Sequence, residues 1–328
     1  MPRVAVVFTG GTISMGFDPV AGGNVPSLDG AAILARAPGL DAIADVVPID
    51  RGLTPASHLT FRDLMTLGLV IQDALDDDPI DGVVVVQGTD TIEETSFAWD
   101  LVIESSKPVV VTGAMRASHE DLYDGPANLR RAVAAAASPS LRDAGVVVAL
   151  AGTIEAADDV TKMHTTAFDT FRSPNRGSLG TVGERNDVEA RIRGARRQLR
   201  PAPSDGARVE LVEAGIGTDG VMIDAAVAAG ARGIVVASTG AGNTSPAMLA
   251  AAERAMAADV AVVLASRCPA GSVTTAYAFP GGGATWVRAG AIPVGTLCAI
   301  KARVALSLGL AAGLDRDGLA RLLADPIG

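Results

Sequence analysis

Cysteine, histidine, lysine and long apolar runs are all scarce in this chain, and each scarcity closes off a class of protein. Two cysteines, Cys268 and Cys298, stand thirty residues apart in a chain of 328. That spacing fits no zinc or redox motif and implies no disulfide framework. The three histidines, His58, His119 and His164, are scattered without ligand spacing, so neither a metal nor another cofactor is expected. No apolar run reaches the roughly eighteen residues of a membrane span. Met1-Pro2-Arg3 leads at once into a strand-like block, without the apolar region of a secretory signal, and a cytoplasmic location is the expectation. Positive charge is also short, 27 Lys and Arg against 37 Asp and Glu for a net −10, which argues against a nucleic-acid partner. The one basic stretch, Arg191 to Arg200 with five arginines, reads as a solvated linker.

What the chain has in quantity is apolar residues, 48% of the total, enough for two domains with a core each. They come as short β-branched blocks: Val4–Phe8, Gly82–Val86, Val109–Thr112, Val146–Leu150, Ile234–Ala237 and Val260–Ala265. Continuous rather than alternating, these blocks predict strands buried on both faces of a parallel sheet. Helical patterns lie between them over Phe61–Leu75, Glu93–Glu104, Pro126–Ala137, Asp219–Ala229 and Pro246–Ala258. Asp219 and Ser245 read as helix N-caps, the second followed by Pro246 at the first helical position. Strand alternating with helix specifies an α/β fold. From about Glu184 to Arg208 the chain turns charged and Arg-rich with no strand-like block, the composition of a linker. The expected division is residues 1–184, a linker over 185–211, and a smaller α/β domain over 212–328.

Ligands of open α/β sheets bind outside the carboxyl ends of the strands. Three strand blocks end there in Gly- and Thr-bearing loops: Thr9-Gly10-Gly11-Thr12, Gln87-Gly88-Thr89-Asp90-Thr91 and Thr112-Gly113-Ala114-Met115-Arg116. Two glycines before Thr12 allow a tight turn and close approach of a ligand to main-chain N–H groups. A threonine hydroxyl is a weak nucleophile without a base, so Gly-Gly-Thr alone reads equally as an ordinary strand-to-helix turn. Asp90 is placed either to cap the following helix or to hold a substrate ammonium. Lys162, in Asp159-Val160-Thr161-Lys162, is one of three lysines against twenty-four arginines. In a chain that so prefers Arg, a retained Lys points to a need for a point charge or a deprotonatable amine, although a plain surface lysine is the simpler reading of that residue alone.

Thr9-Gly10-Gly11-Thr12-Ile13-Ser14 and Gln87-Gly88-Thr89-Asp90-Thr91-Ile92-Glu93-Glu94-Thr95 resemble the two signatures of the bacterial L-asparaginases. The resemblance continues through Lys107-Pro108, Gly113 to Arg116, Asp124 to Leu129, Asp159 to Lys162, Gly240 to Asn243 and Lys301 to Arg303, in the family's order. It implies a larger N-terminal flavodoxin- or Rossmann-like domain with a mixed, mostly parallel sheet, and a smaller domain with a parallel sheet. It implies attack by Thr12 on the side-chain amide of L-asparagine, an acyl-enzyme, release of ammonia and then hydrolysis, with no cofactor. Thr89 and Lys162 would move protons, Asp90 would hold the α-ammonium, and Ser57 the α-carboxylate, with His58 beside it where the family often carries Gln. The Ala114 carbonyl would lie near the leaving ammonia. Backbone N–H groups near Gly11 and Gly88–Thr89 would form the oxyanion hole. Asn243, from the smaller domain, would reach a neighbouring subunit's site, implying a homodimer or homotetramer and a preference for asparagine over glutamine.

The chain departs from that pattern in two places. The loop from Ser14 to Leu28, expected to act as a glycine-hinged lid, lacks the tyrosine with which the family activates its first threonine. Only Tyr123 and Tyr277 occur, both outside it. The assisting carboxylate expected near Gly281–Gly283 is also missing. These losses leave Thr12 to be activated through water or the Thr89–Lys162 pair, and they leave open a glutaminase-asparaginase or a non-catalytic amino-acid sensor. A dehydrogenase reading rests on Gly215-Ile216-Gly217-Thr218-Asp219-Gly220, but the strand that follows ends in Ser238-Thr239 without the required acid, so a tight turn is expected. An amidotransferase subunit acting on glutamyl-tRNA shares the motifs, but would carry an extra N-terminal domain, and this chain is acidic.

Overall fold

The computed structural model describes residues 1–192 and 194–326. The chain forms two compact units, Met1–Arg196 and Arg197–Gly328. In the first, β1 (Arg3–Phe8) is followed by a hairpin of β2 (Met15–Asp18) and β3 (Gly23–Pro26), then α1 (Gly30–Ala35), β4 (Asp45–Asp50) and α2 (Phe61–Asp76). Next come β5 (Gly82–Val86), α3 (Ile92–Val102), β6 (Val109–Thr112), α4 (Gly125–Ala136) and β7 (Val146–Leu150). Five short strands complete the unit: β8 (Thr153–Ala156), β9 (Thr161–Lys162), β10 (Phe171–Arg172), β11 (Gly180–Val182) and β12 (Val188–Ala190).

The main sheet runs β12-β11-β8-β7-β6-β5-β1-β4. Strands β4, β1, β5, β6 and β7 are parallel, and β8, β11 and β12 extend the sheet antiparallel. Successive residues of one strand serve opposite cores. Val4, Val6 and Phe8 of β1 pack with Val84, Val86 and the α4 residues Leu129 and Val133. Ala5 and Val7 pack with Val83, Val85 and with Leu67, Ile71 and Trp99 of α2 and α3. Helices on both faces are why the strand blocks are apolar throughout, and each fully buried valine or leucine contributes roughly 1.5–3 kcal/mol. The order β4-β1-β5 also means that the chain leaves β1 for one side and returns on the other. That reversal opens a crevice between the carboxyl ends of β1 and β5.

The second unit holds β13 (Val209–Glu213), α5 (Val221–Ala228), β14 (Gly233–Ser238), α6 (Pro246–Ala257), β15 (Ala261–Ser266), α7 (Gly283–Ala289), β16 (Ile292–Pro293), α8 (Ala299–Ala311) and α9 (Arg316–Leu323). Its four strands are parallel in the order β13-β14-β15-β16. Ser245 caps α6 by accepting from the Met248 N–H, with Pro246 inside the first turn. Asp219 is not the N-cap of α5: Gly220 holds that place, and the Asp219 carboxylate accepts from the Val221 N–H two residues later. The Gly215–Gly220 run is a tight turn closed by Thr218, which donates to the Gly215 carbonyl and accepts from its N–H.

The stretch read as linker needs correction. It contains β12, and its last three residues belong to β13. The arginine-rich run is not simply solvated either. Arg196 donates to the buried carboxylate of Asp100 at 2.7 Å, while Arg197 is itself buried and donates to the Ala324 carbonyl and to Asp325. These three partners lie far away in sequence, so composition alone gave no sign of them. Asp100 also accepts from the Val146 N–H at 2.9 Å. Burial pushes its pKa up, against the opposing pull of Arg196. Arg196→Met leaves that carboxyl with its desolvation and no ion partner, at an expected cost of about 3–5 kcal/mol near pH 8. A carboxyl whose folded pKa lies above its unfolded value is most favourable to folding below the unfolded value, and that advantage is lost as pH rises through the folded one. The deficit of Arg196→Met should therefore shrink as the pH is lowered and Asp100 protonates. Urea unfolding of both proteins over a descending pH series checks this, and a deficit that does not change with pH would refute it.

Candidate active site

The loops after β1, β5 and β6 meet because glycines let their backbones touch. Gly10 and Gly11 have φ of 108° and 92°, conformations that side chains disfavour. A Cβ on Gly11 would sit 2.1 Å from the Gly88 nitrogen, and one on Gly10 would sit 2.9 Å from the backbone of Leu53 and Thr54. A Cβ on Gly113 would strike the Gln87 carbonyl oxygen at 2.5 Å and approach the Thr89 methyl at 3.2 Å. Thr12 and Thr89, each directly after one of the abutting glycines, are thereby brought to the same crevice between β1 and β5. Thr12 opens a 3-10 turn, Thr12–Ser14, and Thr89 opens another, Thr89–Thr91. The first N–H groups of such turns have no partner within them. No hydrogen bond among the described residues engages the Thr12 hydroxyl.

Lys162 reaches this edge from β9, which pairs with β10 as a short hairpin. Its Nζ donates to Thr89 Oγ1 at 2.9 Å and to Asp90 Oδ1 at 2.7 Å. The Lys162 side chain is 14% exposed and that of Asp90 74%. Asp90 is not a helix cap: Thr91 precedes α3, with no side-chain cap bond. An ion pair with so exposed a member is worth about 0–1 kcal/mol, so the Asp90 carboxylate is readily shared with another cation. Ser57 and His58 lie exposed in the 3-10 turn Ala56–His58. That turn is held beside Thr89–Thr91 by the Thr91 hydroxyl, which donates to the Ala56 carbonyl at 3.3 Å. Ala114 is fully buried in the loop after β6.

Asn243 belongs to the second unit, in the bend after β14. Its backbone pairs with Thr239, and its Oδ1 is buried without a hydrogen-bond partner among the described residues. The segment Ser14–Leu28, expected to act as a glycine-hinged lid, contains the hairpin of β2 and β3. Its base is tied by Ser27 and Leu28 N–H groups donating to the Ser14 carbonyl.

Several supporting residues were given no role in the sequence reading. Asp124 accepts from the N–H groups of Met115 and Arg116 at 3.0 Å and from Asn128 Nδ2 at 2.9 Å. Asn128 also donates to the Gly113 carbonyl. Gln87 is buried, donates to the Gly88 carbonyl and accepts from Thr95. Arg116 stacks over Phe168 at 4.6 Å and donates to the Thr166 carbonyl, bracing the β9–β10 loop that follows Lys162. Their available signal was polarity in apolar surroundings: Asn128 faces the core side of an alanine-rich helix, where a buried amide must find partners. Among the described residues no three His, Cys, Asp or Glu side chains gather as a metal site would require, and no helix is long and apolar enough to cross a membrane.

Residues 3–195 match the family model Asparaginase, N-terminal, and residues 208–323 match Glutaminase/Asparaginase C-terminal domain. The chain belongs to the asparaginase family. It is 36% identical over 329 residues to a probable L-asparaginase of Deinococcus radiodurans, covering 98% of this chain and 97% of that one. It is 33% identical over 264 residues to a glutaminase-asparaginase of Acinetobacter glutaminasificans, covering 74% and 76%. The crystal structure of a probable cytoplasmic L-asparaginase from Campylobacter jejuni superposes with a TM-score of 0.88 at 29% identity, covering 98% of this chain and 99% of that one.

Proposed function

We propose that this protein hydrolyses the side-chain amide of L-asparagine to L-aspartate and ammonia, with Thr12 as nucleophile and Thr89, Asp90 and Lys162 completing the catalytic group. The observation that carries the reading is the Lys162 ammonium bridging Thr89 and Asp90 at 2.9 and 2.7 Å, in the crevice where the Thr12 turn abuts Gly88. Asp90 offers its exposed carboxylate to the substrate α-ammonium, and Ser57, with His58 beside it, receives the α-carboxylate. Opposite charges at fixed separation orient the amide toward the nucleophile. The Thr12 oxygen bonds to the amide carbon and its proton passes to the departing nitrogen. Negative charge on the carbonyl oxygen meets N–H groups at Gly11, Gly88 and Thr89, each worth roughly 10²–10³ in rate at comparable sites. The C–N bond breaks, ammonia leaves past the Ala114 carbonyl, and water then splits the threonine ester to return the free hydroxyl and aspartate. Asn243 contributes to a neighbouring subunit's site in a homodimer or homotetramer. Its unpartnered Oδ1 supports that reading.

A second reading makes Thr89 the nucleophile, because Lys162 contacts its hydroxyl directly and not that of Thr12. Mass spectrometry of a trapped acyl-enzyme separates the two. Substrate choice is tested by ammonia release from L-asparagine, L-glutamine and D-asparagine. The expected result is a preference for L-asparagine over L-glutamine of about 10–200-fold in kcat/KM, the range one methylene supports. Comparable rates would make the enzyme a glutaminase-asparaginase. Binding of L-asparagine by calorimetry without ammonia release from any amide would overturn the hydrolase in favour of an amino-acid sensor.

A further inference from the structure

The segment between β6 and α4 grips the turn that carries Thr12. The Tyr123 hydroxyl donates to the Ile13 carbonyl at 2.7 Å, on the residue directly after Thr12. Ser118 donates to the Met15 carbonyl twice, from its hydroxyl at 2.8 Å and its N–H at 3.1 Å. The same segment fixes the loop after β6 through Asp124, which holds the Met115 and Arg116 N–H groups. The Tyr123 ring packs partly buried against the core on the α4 side of the sheet and lies over Gly125, where an added Cβ would sit 2.6 Å from it. Thr12 has no side-chain hydrogen bond of its own among the described residues. The backbone of the Thr12–Ser14 turn sets where the Thr12 Cα–Cβ bond points, and with it the positions the hydroxyl can reach.

We infer that Tyr123 is a positioning residue for the Thr12 nucleophile, acting through its hydrogen bond to the Ile13 carbonyl. The inference rests on the reading of Thr12 as nucleophile. Tyr123 does not serve as the base. Its proton is committed to the Ile13 carbonyl, and burial, reinforced by the Asp124 carboxylate against the opposing effect of Arg36, pushes its pKa up to about 12. Its contribution is geometric: misplacement of a reacting group by about 1 Å costs on the order of 10²-fold in rate, and one lost tether permits a fraction of that.

The test is Tyr123→Phe, which keeps the ring and removes only the donor. The expected result is a fall in kcat for L-asparagine of about tenfold. KM should stay within about twofold, since Asp90 and Ser57 are untouched, and the limbs of the pH profile should not move. Ser118→Ala, which leaves the N–H bond to Met15 in place, should lower kcat by only about twofold. In the resting protein, the 13C methyl signal of Thr12 should shift or broaden in Tyr123→Phe. An unchanged kcat overturns the inference, as does a loss of kcat that merely follows a lowered melting temperature. A displaced pH limb overturns it too, because Tyr123 would then be taking a proton. If the wild-type protein releases no ammonia from any amide, the hydrolase reading fails, and the Thr12 methyl signal alone decides: a shift in the variant supports the tether and an unmoved signal removes it.

Discussion

Thr12→Ala should lower kcat for L-asparagine by about 10⁴-fold or more, because loss of a covalent nucleophile removes the acyl route and leaves only binding and oxyanion donors. The fold should be unaffected. Thr12 is partly exposed, and the turn that holds it is fixed by main-chain and neighbouring side-chain contacts, including the Ser14 hydroxyl donating to the Gly11 carbonyl at 2.7 Å. Substrate affinity should persist, since Asp90 and Ser57 remain. Ammonia release under single-turnover conditions, with calorimetric binding of L-aspartate beside it, separates chemistry from binding. Residual turnover within about tenfold of wild type would transfer the nucleophile's role to Thr89. In that event Thr89→Val should show the full loss and carry no acyl adduct, whereas with Thr12 as nucleophile it should still form one slowly.

Lys162→Met has the second largest expected effect, a fall in kcat of about 10³-fold, within the range for removal of a positioned proton-transfer group. Methionine fills the space of the lysine stem but lacks the Nζ that bonds Thr89 and Asp90. Stability should change little. The abandoned Asp90 is largely exposed and stays hydrated, so its lost ion pair is worth about 0–1 kcal/mol. Lys162→Arg should not restore the rate, because a guanidinium is broader and does not give up a proton at working pH. The check is kcat and melting temperature for all three proteins. Full activity in Lys162→Met would remove Lys162 from the proton path and leave water as the activator of Thr12.

Two kinds of residue made the candidate site legible in the sequence. Thr12, Thr89 and Asp90 were legible because each follows a strand block and a glycine, and ligands of open α/β sheets gather at those ends. Lys162 was legible as a rare lysine in an arginine-rich chain, and the structure gives it two oxygen partners. The bracing residues were hidden for a common reason. Tyr123 acts on Ile13 across 110 positions, and Ser118 on Met15 across 103. Contacts of such range leave no local pattern in either partner. The pairing of β2 with β3 inside Ser14–Leu28 was hidden as well, because two short, glycine-containing strands carry no apolar block to announce them. Asp219 was misplaced by one residue, within the ordinary uncertainty of helix ends.

By itself, the sequence determined the alternation of strand and helix, the parallel core strands and the identity of the loops bearing hydroxyl and carboxylate groups. These are local properties, set by β-branched blocks, turn residues and caps that act within a few positions. Only the tertiary structure decided what those groups do to one another. The reversal of strand order at β1 placed two distant loops side by side, and glycines without Cβ atoms let their backbones touch. Burial decided the rest. It drew Arg196 and Arg197 out of an apparently solvated run to partners up to 128 positions away, because a buried charge must find its counterpart wherever the fold provides one.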